Sequence, residues 1–249
     1  MRPFFGFRYS HLLQLILWCS LAMAVVCNSG CRVAGLSQNT AGVQLYQQGR
    51  FAEALQQFQV AQQTDPNNAD TYYNLASTYH QLGVGQNDQR LIEQAEGLYH
   101  QCLDIQPNHV DCHRGLAVLL AQTKRPDSAV RFLTNWATQN PAMSDPKVEL
   151  ARLQQELGET KLAERFLDEA LALNPHDSRA WTARAQLRES AGDLNQALQN
   201  YQQSLAINNF QPDVYQRMAS LQYKIAQNNA TGTPSGGWTV QNNTQSNNR

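Results

Sequence analysis

Between residues 100 and 113 the chain gathers His100, Cys102, Asp104, His109, Asp111, Cys112 and His113. Imidazoles, thiols and carboxylates are the side chains that ligate zinc, so this cluster is the first place to look for metal chemistry. Its spacing follows no structural zinc pattern, and no metal is expected there. Elsewhere the sequence holds no phosphate-cradling glycine loop, no Gly-x-Ser-x-Gly elbow and no His-Glu-x-x-His helix. No catalytic residue, no cofactor and no enzyme activity is therefore assigned. The formal net charge is −1, which gives no long-range attraction to nucleic acid or to an anionic membrane. Glutamine and asparagine supply much of the surface polarity, a composition suited to hydrogen bonding.

Cys31 suggests chemistry of another kind. Arg2 and Arg8 precede an almost wholly apolar run from Leu12 to Val26, followed by Asn28-Ser29-Gly30-Cys31. A basic start, an apolar run of roughly fifteen residues and small residues after it form the pattern of an export signal. The run is short for a spanning helix, which needs about twenty residues. The segment resembles a bacterial lipoprotein signal, whose cysteine becomes the lipidated first residue of the mature chain. That resemblance implies a signal over 1–30, lipid on Cys31, and a place in the periplasm or cell envelope. Asn28 stands where such signals usually carry leucine, so simple cleavage and an uncleaved anchor stay open. With Cys19 and Cys27 removed and Cys31 lipidated, Cys102 and Cys112 remain as an even pair in an oxidising compartment.

The elements that position these residues are read from a repeat. Ala54, Ala95, Ala129, Ala163 and Ala197 are separated by 41, 34, 34 and 34 residues, and Pro66, Pro107, Pro141 and Pro175 by 41, 34 and 34. Gly42, Ala76, Ala117, Ala151, Ala185 and Ala219 form a third series, with Gly49, Gly83, Gly158 and Gly192 in the same phase. Lys124 stands where another glycine is due. A single seven-residue insertion between Gly83 and Ala95 accounts for the longer step. The insertion, Val84–Arg90, is expected to lengthen a loop.

The pattern resembles the tetratricopeptide repeat, a 34-residue unit of two antiparallel helices. The residues that carry it are clearest in Ala151, Gly158, Ala163, Leu167, Ala170 and Pro175, and in Trp181 and Tyr201 of the next unit. The resemblance implies an all-α, right-handed α-solenoid of about five helical hairpins over 35–68, 69–109, 110–143, 144–177 and 178–211. A capping helix over 212–228 and a polar tail over 229–249, expected to be disordered, complete the chain. Small residues let paired helices approach, large ones fill the space between units, and glycine permits a left-handed end to each first helix. Proline stops each second helix. Trp136, at a place that wants a small residue, is expected to shift the packing or face outward. Cys102 and Cys112 fall on adjoining helices, either as buried reduced thiols or as a disulfide, which needs Cα atoms within about 7 Å.

In that family the first helices line a concave groove. The positions that face it here are Tyr46, Asp70, Tyr73, Ser77, His80, Arg114, Arg152, Gln155, Gln186 and Glu189. Aromatic anchors among adaptable polar groups suit an extended peptide or a partner helix. Arg114 and Arg152, one unit apart, offer two cations to an acidic side chain. The family's carboxylate clamp is not expected, because Asn39 and Val43 occupy its places in the first unit. The function implied is a non-catalytic scaffold or adaptor of the cell envelope that binds other proteins or peptides. It touches no nucleic acid, and meets the membrane only through Cys31 or an uncleaved signal. Two alternatives are a structural component of a secretion or cell-wall complex using the convex face or loop 84–90, and a metal-dependent enzyme using His100–His113.

Overall fold

Five alanines that recur in step, Ala54, Ala95, Ala129, Ala163 and Ala197, are all buried to 1% exposure or less. Each lies on the second helix of a hairpin, where a side chain larger than a methyl would hold the two backbones apart. The computed structural model of the chain describes residues 35–231; the signal over 1–30, Cys31 and the tail beyond residue 231 lie outside them. The described residues are all-α. In order they form α1 (35–47), α2 (Phe51–Thr64), α3 (Ala69–Gln86), α4 (Gln89–Ile105), α5 (Val110–Gln122), α6 (Pro126–Gln139), α7 (Asp145–Glu156), α8 (Thr160–Leu173), α9 (Ser178–Ser190), α10 (Leu194–Ile207) and α11 (Pro212–Thr231). No helix among them is long and apolar enough to cross a membrane.

Two compact units divide the chain after Asn140. In the first, α1 to α6 make three hairpins. Within it α3 packs on α2, α4 and α5, and α5 also on α4 and α6. Gly42 of α1 lies so close to Phe58 of α2 that a Cβ would stand 2.4 Å from the ring. Phe58 then fills the space against Leu75, Val43 and Tyr79. The second unit repeats the scheme with α7–α8 and α9–α10, and α11 closes it against α10. Its core runs from Val148, Ala151, Leu167 and Leu187 to a second cluster of Tyr201, Val214 and Leu221. Helix α11 continues past residue 228 to Thr231.

Hydrogen-bonding side chains begin several helices. Asn68 accepts from the Thr71 amide, Asp88 from Arg90, and Asp177 from both Arg179 and Ala180, each satisfying an amide that the helix leaves unpaired. Pro126 occupies the first turn of α6, where no amide is required. Helices α2, α4, α6 and α8 each stop just short of the residue that precedes Pro66, Pro107, Pro141 and Pro175.

The insertion is not a loop. Val84–Gln86 continue α3, Gln89 and Arg90 open α4, and only Asn87 and Asp88 lie between the helices. Helical residues satisfy their own amides, so added turns on two adjoining helices leave fewer backbone groups to solvent than a long loop does. This overturns the expectation of a lengthened loop over 84–90, although the segment stays largely exposed. Gly83, in consequence, does not end its helix. It is buried inside α3 with room for no Cβ, which would lie 2.9 Å from the Ile92 backbone nitrogen. The left-handed residue moves to Asn87, at φ 53°. Gly49, Gly158 and Gly192 do take positive φ, and Lys124 is forced into the same conformation at φ 61°.

Trp136 neither faces outward nor breaks the packing. It is 3% exposed and lies parallel to His113, with ring centroids 3.8 Å apart. Its indole N–H donates to Asn108 at 2.9 Å. The flat imidazole of His113, standing in for a large opening residue, makes the room. Replacing Lys124 by glycine should raise stability by roughly 0.5–1 kcal/mol, since glycine takes positive φ without a Cβ penalty. A shift of the urea midpoint to higher concentration checks this; an unchanged or lower midpoint counts against it.

Candidate functional site

Three tyrosines from two neighbouring hairpins of the first unit meet at one depression of about 210 Å³. Tyr46 comes from α1, Tyr73 from α3 and Tyr99 from α4, joined by Ser77 and His80 of α3 and by Arg114 of α5. Helical spacing puts 73, 77 and 80 on one face of α3. The Tyr46 and Ser77 hydroxyls are 3.3 Å apart. His80 Nε2 lies 3.0 Å from the Gln122 side-chain oxygen and Nδ1 lies 3.3 Å from the Tyr99 hydroxyl. An amide oxygen can only accept, so Nε2 carries the proton and Nδ1 accepts from Tyr99. These two partners fix the tautomer and the orientation of the ring. Burial lowers the His80 pKa, opposed by the Gln122 bond. Burial also raises the Tyr73 hydroxyl, with Asp111 adding to the effect, and raises Tyr99 further. The Tyr73 and Tyr99 hydroxyls are therefore uncharged at neutral pH, Tyr73 half-buried and Tyr99 fully buried.

The floor of this depression is Tyr99 beneath Gly115. A Cβ at position 115 would stand 2.5 Å from the Tyr99 ring, so glycine is what brings α5 over the aromatic. Spacing along the chain marks Tyr99 only as filling between units. Its ring does fill that space, tilted against Tyr73 at 6.4 Å, but its hydroxyl reaches His80. Arg114 Nη1 donates to Asp111 at 3.1 Å on the rim.

The remaining groove positions fall elsewhere. Asp70 does not line the depression; its Oδ1 is 2.9 Å from His109 Nε2. Arg152, Gln155, Gln186 and Glu189 belong to the second unit. There Gln155 donates to Ser190 at 3.3 Å, and Glu189 accepts from Tyr201 at 2.9 Å with Arg217 and Lys224 nearby at 3.7 and 3.8 Å. Gln186 borders a separate open cleft with Asp213, Gln216 and Arg217. Beside Arg152, Glu156 has its pKa raised by burial, which the Arg152 charge opposes. Asn39, at a clamp place of the family, accepts from Asn74 at 3.0 Å.

The histidine–cysteine cluster separates into two groups. His100 and Asp104 are exposed, Asp111 pairs with Arg114, and His113 stacks on Trp136 while its Nε2 donates to the Pro107 carbonyl at 2.9 Å. Cys102 and Cys112 are joined as a disulfide with Cα atoms 6.6 Å apart. His109 lies beside them, begins α5 by accepting the Cys112 amide at Nδ1, and stacks on Tyr73 at 5.7 Å.

A TPR repeat family model matches residues 42–83, and two further models described as tetratricopeptide repeat match residues 124–187 and 178–210. The matched segments are tetratricopeptide repeats. Among solved structures, a thermophilic TPR protein of Thermus thermophilus is 26% identical, aligns over 76% of this chain and 100% of its own, and gives a TM-score of 0.56. Pseudomonas aeruginosa pilF is 18% identical over 82% of this chain and 95% of its own, with a TM-score of 0.48. YrrB, described as a TPR protein with an unusual peptide-binding site, is 14% identical over 72% of this chain and 89% of its own, at 0.40. No curated protein matches the sequence significantly. The likeness to the Thermus protein supports the tetratricopeptide solenoid class for this chain, and the repeats support a role in holding other proteins.

The His80 geometry has a pH consequence. A histidine whose folded pKa lies below its unfolded value binds more protons when unfolded, so stability falls as pH drops through that interval. Acidification below the ordinary imidazole range should therefore lower the melting temperature. His80→Gln should weaken that dependence, measured as the difference in melting temperature between neutral and mildly acidic buffer. An identical pH response in the variant would count against the assignment.

Proposed function

We propose that the chain is a non-catalytic scaffold that captures a peptide or partner helix at the Tyr46–Tyr73–Arg114 depression of its first unit. The observation that carries this reading is the meeting of the half-buried Tyr46 and Tyr73 and a rim guanidinium in one open hollow floored by the buried Tyr99. Rigid aromatics contribute large contact area at little entropic cost, and binding energy at interfaces concentrates on tyrosine, tryptophan and arginine. Pairing of Arg114 with an exposed Asp111 leaves the guanidinium at the rim, where it can turn to an acidic side chain of a ligand. The depression offers room for one side chain and polar groups for its flanking backbone. Burial favours the neutral form of its histidine, which supports recognition in preference to proton transfer.

Selection of displayed peptides on the immobilised chain tests this. Tyr73→Ala and Arg114→Ala should each cut capture of the enriched peptides by about tenfold or more, the scale of an interface anchor. Gln155→Ala, in the second unit, should leave it unchanged. Retention of capture by both first-unit variants would show that the depression is not the binding site.

The signal-like segment supports an exported, envelope-attached form of this scaffold, anchored through lipid on Cys31. Intact mass of the protein from the source cell should show a mature chain that begins at Cys31 and carries acyl groups. A chain that begins elsewhere without lipid would refute the anchor while leaving the peptide-binding reading intact.

A further inference from the structure

We propose that the α4–α5 junction is a thiol-gated site for a soft divalent cation such as zinc, held by Cys102, Cys112 and His109 once the disulfide is reduced. Ligand spacing along the chain matches no known pattern, and on that ground the sequence alone implies no metal. Folding replaces that spacing with proximity. The two sulfurs and a ring nitrogen of His109 all lie within 4.8 Å of one another. Ligands about 2.3 Å (sulfur) and 2.0 Å (nitrogen) from a tetrahedral zinc stand roughly 3.5–4 Å apart, so only a small adjustment is needed. All three residues are buried, both cysteines completely.

Asp70 is the second observation. Its carboxylate oxygen is 2.9 Å from His109 Nε2, so that nitrogen carries the proton and the Nδ1 lone pair is turned inward. The Cys112 amide, which donates to Nδ1 at 3.2 Å, marks where that lone pair points. A carboxylate that holds a histidine from behind is the usual outer support of a metal-ligating imidazole. Thiolates and imidazole together select soft or borderline cations over magnesium or calcium.

The disulfide and the ion exclude each other. A dithiol reductant would supply two electrons and two protons to the Cys102–Cys112 bond, becoming a disulfide itself and leaving two thiols. Binding of the ion then displaces those two protons to water and forms two metal–thiolate bonds, while Nδ1 exchanges the Cys112 amide for the metal. The exposed turn Gln106–Asn108 joins the two helices that carry the bond and is the segment whose opening would admit the reductant. This inference does not depend on peptide capture.

The test uses the full chain with Cys19, Cys27 and Cys31 changed to serine, reduced with a phosphine that does not chelate metal. Titration with Cd²⁺ should give one equivalent of thiolate-to-cadmium charge-transfer absorbance, and Zn²⁺ should compete for it. The oxidised chain should give none. Cys102→Ser with Cys112→Ser should abolish the band, while His109→Gln and Asp70→Asn should keep it but weaken affinity by about 10–100-fold. Circular dichroism reports whether the cysteine variants fold; if they do not, the His109 and Asp70 variants decide. No band in the reduced parent, or a band whose affinity His109→Gln and Asp70→Asn leave unchanged, overturns the site.

Discussion

The two helices of each repeat approach until only a methyl group fits between them. That limit, imposed at Ala54, Ala95, Ala129, Ala163 and Ala197, fixes where every other side chain goes. With the backbones this close, large residues are displaced to the space between hairpins, where Phe58, Tyr99, Leu133, Leu167 and Tyr201 are buried. Interiors are packed to crystal density, so a ring in that space needs a matching gap on the neighbouring helix. Gly42 over Phe58 and Gly115 over Tyr99 are such gaps. The depression that presents Tyr46, Tyr73 and Arg114 is thus a by-product of close packing one layer below it.

The two units join their hairpins by different mixtures of contacts. In the first, neighbouring hairpins meet through rings, through the Asp70–His109 contact, through the disulfide and through the Arg125–Glu96 ion pair. In the second, Arg179 of α9 reaches Asp145 at 2.6 Å and the buried Glu149 on α7, while Arg184 and Arg188 reach Asp168 and Glu164 on α8. A buried carboxylate is costly unless it is paired, and Arg179 is one of the partners that hold Glu149 while tying α9 to α7. The more exposed pairs at Asp168 and Glu164 contribute little singly and weaken with salt.

The periodicity of alanine, glycine and proline, through its resemblance to the tetratricopeptide repeat, already implied the all-α hairpin scheme, because helix contact distance depends on side-chain size at set positions, and that is a local property. It determined as well that Tyr46, Tyr73, Ser77, His80 and Arg114 belong to first helices, since a face of a helix is a matter of spacing. What became of the insertion was decided by tertiary structure: two helices lying side by side could extend together, so 84–90 became turns of helix and Gly83 an interior contact. The environments of Trp136, of Tyr99 and of the trio Cys102, His109 and Cys112 were decided the same way. Each depends on a partner more than a helical turn distant along the chain, and one sequence records no such distance.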